Sequence, residues 1–590
     1  MLNWKLKNNP IQDFSLSYIE DYLNNLGIKK TKSFIHKPDK EDEENYEKLD
    51  NIKGACELLY KGFKQNKKFF LQVDSDADGY TSSAIFYAFF KKLFPNAEIE
   101  WRVHDGKEHG IILDTIPITS DYIIIPDAAS VQFDEQKQLS EKGYTTIILD
   151  HHNLDSNYER FKNVVIVNNQ SSPRFKNKSL SGAGVVYKTI QAFNHYYRDE
   201  FPMIYQEFAD LAALGIVADM MDTRELDNNY IIYHGAKNIT NPMLKALLKK
   251  QNFSVSDSER PTKIDMAFYI APIINAVVRF GTNEEKSLLF EGLITYDKNE
   301  TIITQYRKQD REESYYDYIA RCSFNVRGRQ NREKEKNMAF LMERIEQNNL
   351  NQHQLIIVTI SKDDKVTIPH TITGLVAMEL LKYYKKPVLV LRPKSDGNGG
   401  LVYAGSGRGK ANGDFDSLYG MLRESGYCEF VEGHDMAHGV AIKEENLPKV
   451  IEFANKYLKD IEFETENFEV DYEFNNSNLN HDMILEFGRY DYLYGNGIPQ
   501  PKFAFVLNVA KTAIKIIGSK SDTLKISLNG IDYIKFKSKK LIDEIMEKDT
   551  IMYELRFVGR AQVNEWGGRI TPQIVIDELE YKDFHIENLF

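Results

Sequence analysis

Short apolar runs that alternate with helix-like stretches are the strongest constraint on the fold of this chain. Between residues 51 and 235 four such runs occur, in the order KKFFLQVD, DYIIIPDA, YTTIILDHH and NVVIVNNQ. Each has the length of a buried strand, and the segments between them have the spacing of amphipathic helices. Strands that alternate with helices indicate βαβ units, so the sequence predicts a parallel sheet and an α/β fold.

Acidic residues and histidines follow the first three of these apolar runs. Asp219 follows a further apolar run, LAALGIVA, and we interpret all four positions as strand ends. The residues concerned are Asp74, Asp76, Asp78, Asp127, Asp150, His151, His152 and Asp219. One Asp after a strand is commonly a helix N-cap, and a His pair can simply fill space. Four ends of the same polarity, at the sheet edge where ligands bind, predict a site for manganese or a similar divalent ion.

The stretch DSDADG also matches the start of an EF-hand calcium loop. That loop requires a bidentate Glu at its twelfth position, but the twelfth residue from Asp74 is Ile85. A strand-like run, not a helix, precedes the stretch, so we reject the EF-hand. Alternating carboxylates at a strand end repel one another unless a cation neutralises them. An exposed acidic turn is the alternative.

Charge and cysteine content limit the function less sharply. The net charge of −12 disfavours a nucleic-acid partner. Residues 501–560, however, hold 12 Lys+Arg against 7 Asp+Glu, a difference of +5. The three cysteines (Cys56, Cys322 and Cys428) lie far apart, which argues against disulfides and zinc and favours the cytoplasm. We see no transmembrane run and no signal peptide.

Composition and pattern suggest five segments. Residues 1–50 are polar and predicted helical, with a solvated charge run at 37–48; residues 51–240 hold the first α/β pattern. Residues 241–350 are expected to form a helical connector, including a long exposed stretch from 305. A second α/β pattern runs from 351 to 460 through HQLIIVTI, KKPVLVLRP and AHGVAIK. In 461–590, five short strand-like stretches suit a small barrel.

The motifs DSDADG, PDA, LDHH and GIVADMMD, in this order, resemble those of the DHH phosphoesterase family. Within it the chain is most similar to RecJ-type single-stranded-DNA exonucleases. The closer resemblance is carried by SLSGAGVVYK, INAVVRFG, AGSGRG, EGHDMAHG, YGNGIPQPKF and VNEWGGRITPQIVIDELEY. It spans residues from about 50 to the end, and implies a DHH domain, a DHHA1 domain and a C-terminal OB-fold.

The resemblance implies roles for the residues at the run ends. Asp76, Asp78, Asp127, His151 and Asp219 would be metal ligands, with Asp127 bridging two ions. His152 would face the scissile phosphate and act as a catalytic group with Asp127 and Asp150. Asp74 and Asp150 would be ligands or groups that hold a ligand. The implied cofactor is a pair of Mn²⁺ or Mg²⁺ ions.

The resemblance also implies substrate contacts. In the DHHA1-like part these are Ser406, Gly407, Arg408, Gly433, His434 and Gly439; elsewhere they are Arg279, Trp566 and Arg569. Lys535, Lys537 and Arg556 are further candidates in the OB-like part, although each can equally belong to a solvated strand face. From its residues alone, GSGRG could also be a plain tight turn, and His434 and His438 could be structural. The chain departs from the family at Glu432, where Gly is usual, and in the segment WRVHDGKEHGI, whose Arg102, His104 and His109 are possible substrate contacts.

The expected function is that of a metal-dependent, 5′-to-3′ single-stranded-DNA exonuclease. It would use a two-metal mechanism, release 5′-mononucleotides and serve DNA repair, recombination or replication. We expect a cytoplasmic monomer, with a helicase or single-strand-binding protein as possible partners and no membrane association. The alternatives are a small-substrate DHH phosphodiesterase (an oligoribonuclease or cyclic-dinucleotide hydrolase), a family pyrophosphatase and a non-catalytic scaffold of the same fold.

Overall fold

Five parallel strands form the first sheet of the computed structural model. It describes residues 2–7, 17–106, 108–251, 260–306, 309–361, 364, 366–395, 400–411, 415–461, 463, 467–518, 520–566 and 568–583, with the backbone alone at 306, 467 and 566. In spatial order the strands are Ile99–Val103, Phe69–Val73, Tyr122–Pro126, Thr145–Asp150 and Val164–Asn168. All four pairings are parallel, so the predicted α/β fold is confirmed.

Helices cover this sheet and extend beyond it. They are Ile52–Lys64, Ala77–Leu93, Phe133–Glu141, Gly182–Tyr196, Ala209–Ala218, Leu226–Lys237, Pro242–Lys250, Ala271–Phe280 and Asn283–Ile294. The strands Phe69–Val73 and Tyr122–Pro126 are buried throughout, as expected for parallel strands covered on both faces. One interpretation was wrong: the run before Asp219 is the helix Ala209–Ala218. Its alanines and leucines favour a helix, and its ten residues exceed a typical strand.

The predicted helical connector contains an unexpected hairpin. The strands Thr301–Tyr306 and Gln309–Ser314 pair in antiparallel register, and the 33-residue helix Tyr315–Gln347 follows. The exposed stretch predicted from residue 305 is therefore part hairpin and part helix. Its charged residues gave no strand signal, because both faces of an isolated two-stranded hairpin can remain in water.

The second α/β pattern forms a mixed five-stranded sheet. In spatial order its strands are Cys428–His434, Ala437–Lys443, Leu401–Arg408, Val388–Ser395 and Ile356–Thr359. The helices Thr373–Tyr384, Leu418–Ser425 and Leu447–Tyr457 accompany it. All of AGSGRG except its last residue, Gly409, lies within the strand Leu401–Arg408, so neither a tight turn nor a glycine-rich loop is present there. A Cβ on Gly405 would lie 1.9 Å from the Val390 carbonyl oxygen, which explains why this strand carries glycine.

The C-terminal residues form a seven-stranded sheet. In spatial order its strands are Tyr472–Asn475, Lys502–Ala510, Met552–Trp566, Arg569–Asp583, Ile531–Lys535, Thr523–Leu528 and Ile514–Ile517. The helices His481–Arg489 and Lys539–Glu547 pack with it. The five predicted strand-like stretches all contain strands, although a turn at Lys511–Ala513 divides the first of them in two.

The N-terminal residues belong structurally with the C-terminal sheet. The strand Asn3–Leu6 pairs in parallel with Asn467–Val470. The helix Tyr18–Asn25 buries Ile19, Tyr22 and Leu23 in the same apolar core as Phe487. The N-terminal segment is thus partly helical, as predicted, but it also supplies a strand.

Only part of the charge run at 37–48 is solvated as predicted. The side chain of Glu43 is only 3% exposed and lies 3.5 Å from the ammonium of Lys188, which is fully buried. The same ammonium donates to an Asp227 oxygen at 2.6 Å and to the Glu44 carbonyl at 2.9 Å. Acidic side chains in this run are buried because they satisfy a buried cation, a partner that lies about 140 residues away in sequence.

The chain divides into two compact units. Residues 1–323 and 467–590 form one unit, and residues 324–466 form the other. The second unit is therefore an insertion between two parts of the first. No helix in the described ranges is both long enough and apolar enough to cross a membrane.

Candidate active site

The turn after the first buried strand places three aspartates around one helix start. Asp76 is the N-cap of the helix Ala77–Leu93, and its carboxylate accepts from Gly79 N at 3.0 Å. A Cβ on Gly79 would lie 2.7 Å from Asp74 Cβ, so only glycine allows this close approach. Burial, together with Asp74 and Asp78, raises the pKa of Asp76, while Arg279 opposes the shift.

Asp78 is anchored to the start of a second helix, Gly182–Tyr196. Its carboxylate accepts from Ser181 Oγ at 3.0 Å, Gly182 N at 2.7 Å and Ala183 N at 3.1 Å. Free N–H groups and the helix dipole both favour negative charge at this position. Ser181 and the two backbone groups were not predicted individually, although they fall in the quoted motif SLSGAGVVYK.

Asp127 lies at the centre of the acidic cluster. Its backbone is left-handed, with φ of 64°, and its side chain is buried. Oδ1 has no hydrogen-bond partner among the described residues. Burial, followed by the charges of Asp78, Asp76, Asp74 and Asp219, raises the pKa of Asp127 well above its usual value. A buried carboxylate oxygen that lacks a hydrogen-bond donor and faces other carboxylates is stabilised either by a cation or by uptake of a proton.

His151 connects this cluster to Asp219. Its Nε2 lies 3.2 Å from Asp127 Oδ1 and 3.4 Å from Asp219 Oδ2. Burial lowers the pKa of His151 and so favours the neutral form that can ligate a metal. Burial and Asp78 raise the pKa of Asp219 to about 8.

His152 and Asp150 form a separate pair beside the cluster. His152 Nδ1 lies 2.7 Å from Asp150 Oδ1, and half of the His152 side chain is exposed while Asp150 is fully buried. This hydrogen bond raises the pKa of His152 to about 9. Burial alone would raise the pKa of Asp150, but the contact with His152 keeps it below its usual value. The pair presents one oriented imidazole to the open side of the site.

The predicted ligands come together in three overlapping groups. Within each group, the donor atoms lie within 4.8 Å of one another. The groups are Asp74, Asp76 and Asp127; Asp78, His151 and Asp219; and Asp127, Asp150, His151 and His152. Asp127 and His151 each belong to two groups. The donor set, the raised carboxylate pKa values and the unpartnered Asp127 oxygen all fit divalent cations.

The segment WRVHDGKEHGI, in which the chain departs from the family, also contributes residues to the site. Gly110 N donates to Asp74 Oδ1 at 2.9 Å, and His109 Nδ1 lies 3.5 Å from the same oxygen. His104 is buried, and its Nε2 lies 3.7 Å from Asp74 Oδ1. Arg102 instead forms an ion pair with Asp105, with Nη2 3.4 Å from Oδ2. His104 and His109 therefore contact a predicted metal-site residue, which their sequence positions did not indicate.

The helix Ala271–Phe280 places two polar residues beside the acidic turn. Asn275 Oδ1 accepts a hydrogen bond from Ala77 N at 3.0 Å. The charge of the exposed Arg279 lies close enough to Asp76 to oppose the rise in its pKa. Arg279 was predicted as a substrate contact, but Asn275 was missed. The spacing of four residues puts both on one helix face, and this was the available signal.

In the second sheet, the predicted DHHA1-like contacts lie side by side. Ser406 pairs with Gly439, Gly407 with His438, and Arg408 with Ala437; the next strand adds Gly433 opposite His438 and His434 opposite Ala437. Ser406 Oγ lies 2.9 Å from Thr373 Oγ1. A Cβ on Gly407 would lie 2.4 Å from His438 Nε2. The structure thus brings all six predicted residues to one end of three strands.

The candidates in the C-terminal sheet are less closely grouped. Arg569 is exposed and pairs with Trp566 at the end of the long hairpin, where the Trp566 side chain lies outside the described part of the chain. Lys537 is exposed, and Lys535 donates to the Asp577 carbonyl. The Arg556 guanidinium stacks on Trp4 at 4.4 Å, so the N-terminal strand covers it.

Comparisons with known proteins agree with this architecture. Residues 68–216 match the family model "DHH family, N-terminal domain", and residues 470–578 match "RecJ OB domain". A Bacillus subtilis protein named putative SPbeta prophage-derived single-strand DNA-specific exonuclease YorK is 36% identical over 574 residues, with 96% of each chain covered. Single-stranded-DNA-specific exonuclease RecJ of the same organism is 23% identical and covers 94% of this chain and 66% of its own.

Solved structures show the same fold. The crystal structure of RecJ in complex with Mn²⁺ from Thermus thermophilus has a TM-score of 0.66 at 20% identity and covers 91% of this chain and 72% of that one. A Mg²⁺ complex of that protein has a TM-score of 0.65. The parallel sheet, the acidic cluster at its edge and the two matching family models together define a DHH-type phosphoesterase fold with an OB domain. The chain belongs to the RecJ-type branch of the DHH family.

Proposed function

We propose that this protein is a metal-dependent single-stranded-DNA exonuclease that degrades its substrate from the 5′ end and releases 5′-mononucleotides. The observation that carries the proposal is the buried cluster around Asp127, with the oriented His152 on its open side. Relatives that span the chain are named as exonucleases specific for single-stranded DNA. A role in DNA repair, recombination or replication is part of the same proposal.

The ligands would divide between two ions, Mn²⁺ or Mg²⁺. Asp76, Asp78, His151 and Asp219 would hold them and Asp127 would bridge them, with Asp74 at the edge of the site. When bound, such a pair of ions would stabilise the attacking and leaving oxygens of a phosphodiester displacement.

The other side chains would bind and orient the substrate. His152, held by Asp150, would donate a hydrogen bond to the scissile phosphate, and Arg279 would pair with a phosphate. The six DHHA1-like residues would bind the terminal nucleotide. Trp566, Arg569 and the OB-type sheet would hold the following single strand, since such folds bind by stacking and charge.

Several predictions from the sequence remain part of this proposal. They are the five-segment domain division, a monomeric state, a helicase or single-strand-binding partner and a cytoplasmic location. The small-substrate phosphodiesterase finds less support, because hydrolysis of dinucleotides needs no OB domain and residues 470–578 match one. The scaffold alternative finds less support because all the motif carboxylates and both histidines are present.

Degradation of end-labelled DNA tests the proposal. The substrate is a single strand of about 40 nucleotides, longer than the roughly 4–16 nucleotides bound by an OB fold. With Mn²⁺ we expect labelled mononucleotide from the 5′ end alone, and little cleavage of duplex DNA. Asp127→Ala should lower the rate by orders of magnitude while DNA binding persists. Turnover of dinucleotides without cleavage of the long strand would contradict the proposal, as would an unchanged rate in Asp127→Ala.

A further inference from the structure

A turn of the C-terminal region contacts the loop that follows Asp219. The turn is Gly495–Gly497, within the motif YGNGIPQPKF, and the loop is 220–224. More than 270 residues separate the two in sequence, yet both belong to the same compact unit. The turn therefore brings the OB-bearing part of the chain to the edge of the metal-ligand cluster.

Three hydrogen bonds join turn and loop through one residue. Thr223 N donates to the Asn496 carbonyl at 2.9 Å, and Thr223 Oγ1 donates to the same oxygen at 2.8 Å. In return, the Asn496 side-chain amide donates to the Met220 carbonyl. Asn496 thus binds two residues, Met220 and Thr223, of the loop immediately after Asp219.

The gripped loop starts in an unfavourable conformation. Asp219 is the C-cap of the helix Ala209–Ala218, and Met220, the next residue, has φ of 56°. A left-handed conformation is unfavourable for an L-residue with a side chain, and such residues persist when their surroundings determine them. Because the Asn496 amide binds the Met220 carbonyl, it fixes the direction of the peptide between Met220 and Met221, one residue beyond Asp219.

Close packing shows that turn and loop fit each other specifically. Gly497 has φ of 85°, and a Cβ there would lie 2.0 Å from Asp222 Oδ1. Asp222 is itself held by Arg224 at 2.6 Å. A Cβ on Gly495 would lie 3.0 Å from Lys263 Cδ and 3.4 Å from Thr223 Oγ1. Neither surface can shift without disturbing the other.

We propose that Asn496 is a positioning residue for the metal site, which holds Asp219 in ligating geometry through the 220–224 loop. The inference rests on the proposed function, since it assumes that Asp219 binds a metal. It assigns the C-terminal region a second task besides binding DNA, because its 495–497 turn positions a ligand of the metal site. Groups that orient metal ligands typically contribute about 10–100-fold to metal affinity.

Mn²⁺ titration of the full chain by calorimetry, without DNA, is the direct test. Asn496→Asp removes the amide donor at constant size, and Thr223→Val removes the hydroxyl at constant size. Each should weaken Mn²⁺ binding at the Asp219 site by about 10–100-fold, with the remaining Mn²⁺ site unchanged. Thr223→Ser keeps the hydroxyl and should bind Mn²⁺ like the wild type.

A matched control separates positioning from general loosening of the domain contact. Tyr22 OH donates to the Pro499 carbonyl at 2.9 Å, two residues beyond the turn. Tyr22→Phe removes that bond and should leave Mn²⁺ binding unchanged. Equal weakening in Tyr22→Phe would overturn the inference, as would wild-type affinity in both Asn496→Asp and Thr223→Val. A wild-type protein that binds no Mn²⁺ would overturn the proposed function as well, so the two failures are distinguishable.

Discussion

Two buried aspartates in this site have opposite electrostatic surroundings. Asp127 faces other carboxylates, and its pKa is raised, whereas Asp150 faces His152, and its pKa is lowered despite full burial. Asp150 also accepts from Ser130 N at 3.0 Å and His151 N at 2.7 Å. Asp127 is thus suited to cations, while Asp150 is suited to holding one imidazole and the strand end that carries it.

Asp150→Asn tests this difference. The amide keeps the size of the side chain but removes the carboxylate that orients and stabilises the protonated His152. We expect the rate of DNA cleavage to fall about 10²-fold or more, with Mn²⁺ affinity changed only a few-fold. His152→Ala should have a similar effect, and the double variant should be no slower than His152→Ala. Additive losses in the double variant would show that the two residues act separately.

Lys263 supplies a residue-scale prediction about pH. Burial lowers the pKa of this ammonium to about 7, and Nζ donates to the Leu493 carbonyl at 2.9 Å. The unfolded chain therefore binds more protons at this residue between pH 7 and 10.5, and stability must rise with pH across that window. The gain is at most about 5 kcal/mol.

Chemical denaturation at several pH values measures this effect. The wild type should gain free energy of unfolding relative to Lys263→Met as the pH rises from 7 towards 10. A difference between the two proteins that is independent of pH would contradict the lowered pKa.

At the scale of elements, the start of the helix Gly182–Tyr196 fixes the geometry of the acidic cluster. Its N–H groups bind Asp78, and the missing side chain of Gly182 leaves room for Asp127. A Cβ on Gly182 would lie 2.3 Å from Asp127 Oδ1, closer than any real contact. One helix terminus thus sets the positions of two predicted ligands.

Gly182→Ala should therefore displace Asp127 while the helix remains. A shift of about 1 Å in a catalytic group can cost about 10²-fold in rate, and we expect a loss of that size in DNA cleavage. The matched control is Gly54→Ala, within the helix Ile52–Lys64, where a Cβ meets nothing within 4 Å. That variant should retain activity and gain roughly 0.5–1 kcal/mol in stability. Full activity in Gly182→Ala would show that the cluster tolerates the displacement.

Strands that bury apolar residues on both faces could be predicted from the sequence. An edge strand, and contacts between residues distant in sequence, could not. Phe69–Val73 and Tyr122–Pro126 are apolar apart from Gln72 and were recognised. The edge strand Ile99–Val103 was missed, because Glu100 and Arg102 interrupt its pattern. Asp219 was identified, although it follows a helix. The contacts of His104, His109 and Asn496 depend on tertiary packing, which no local pattern encodes.

At the scale of the whole molecule, the N-terminal residues complete the C-terminal core. Leu23 has no exposed surface and packs in the cluster that contains Phe487 and Phe503. Leu23→Ala should lower the stability of this part of the first unit by about 2–5 kcal/mol. The control is Leu6→Ala, whose side chain is 37% exposed and whose loss should cost less than about 1 kcal/mol.

Hydrogen exchange locates the effect of Leu23→Ala. Amides of the helix His481–Arg489 should exchange faster, although more than 450 residues separate them from the mutation. Unchanged exchange in this helix would show that the N-terminal helix is dispensable for the core.

The insertion of residues 324–466 between two parts of one unit also determines how the molecule bears mechanical load. A pull on the two ends of the chain acts first on the unit that contains both of them. The parallel pair Asn3–Leu6 and Asn467–Val470 joins that unit near its N-terminal end, so its hydrogen bonds are among the first to be stretched. The inserted unit carries no tension until the first unit has opened. A motor that reels in the N-terminal end would therefore reach the acidic cluster before the second sheet, whereas one that reels in the C-terminal end would first unfold the seven-stranded sheet.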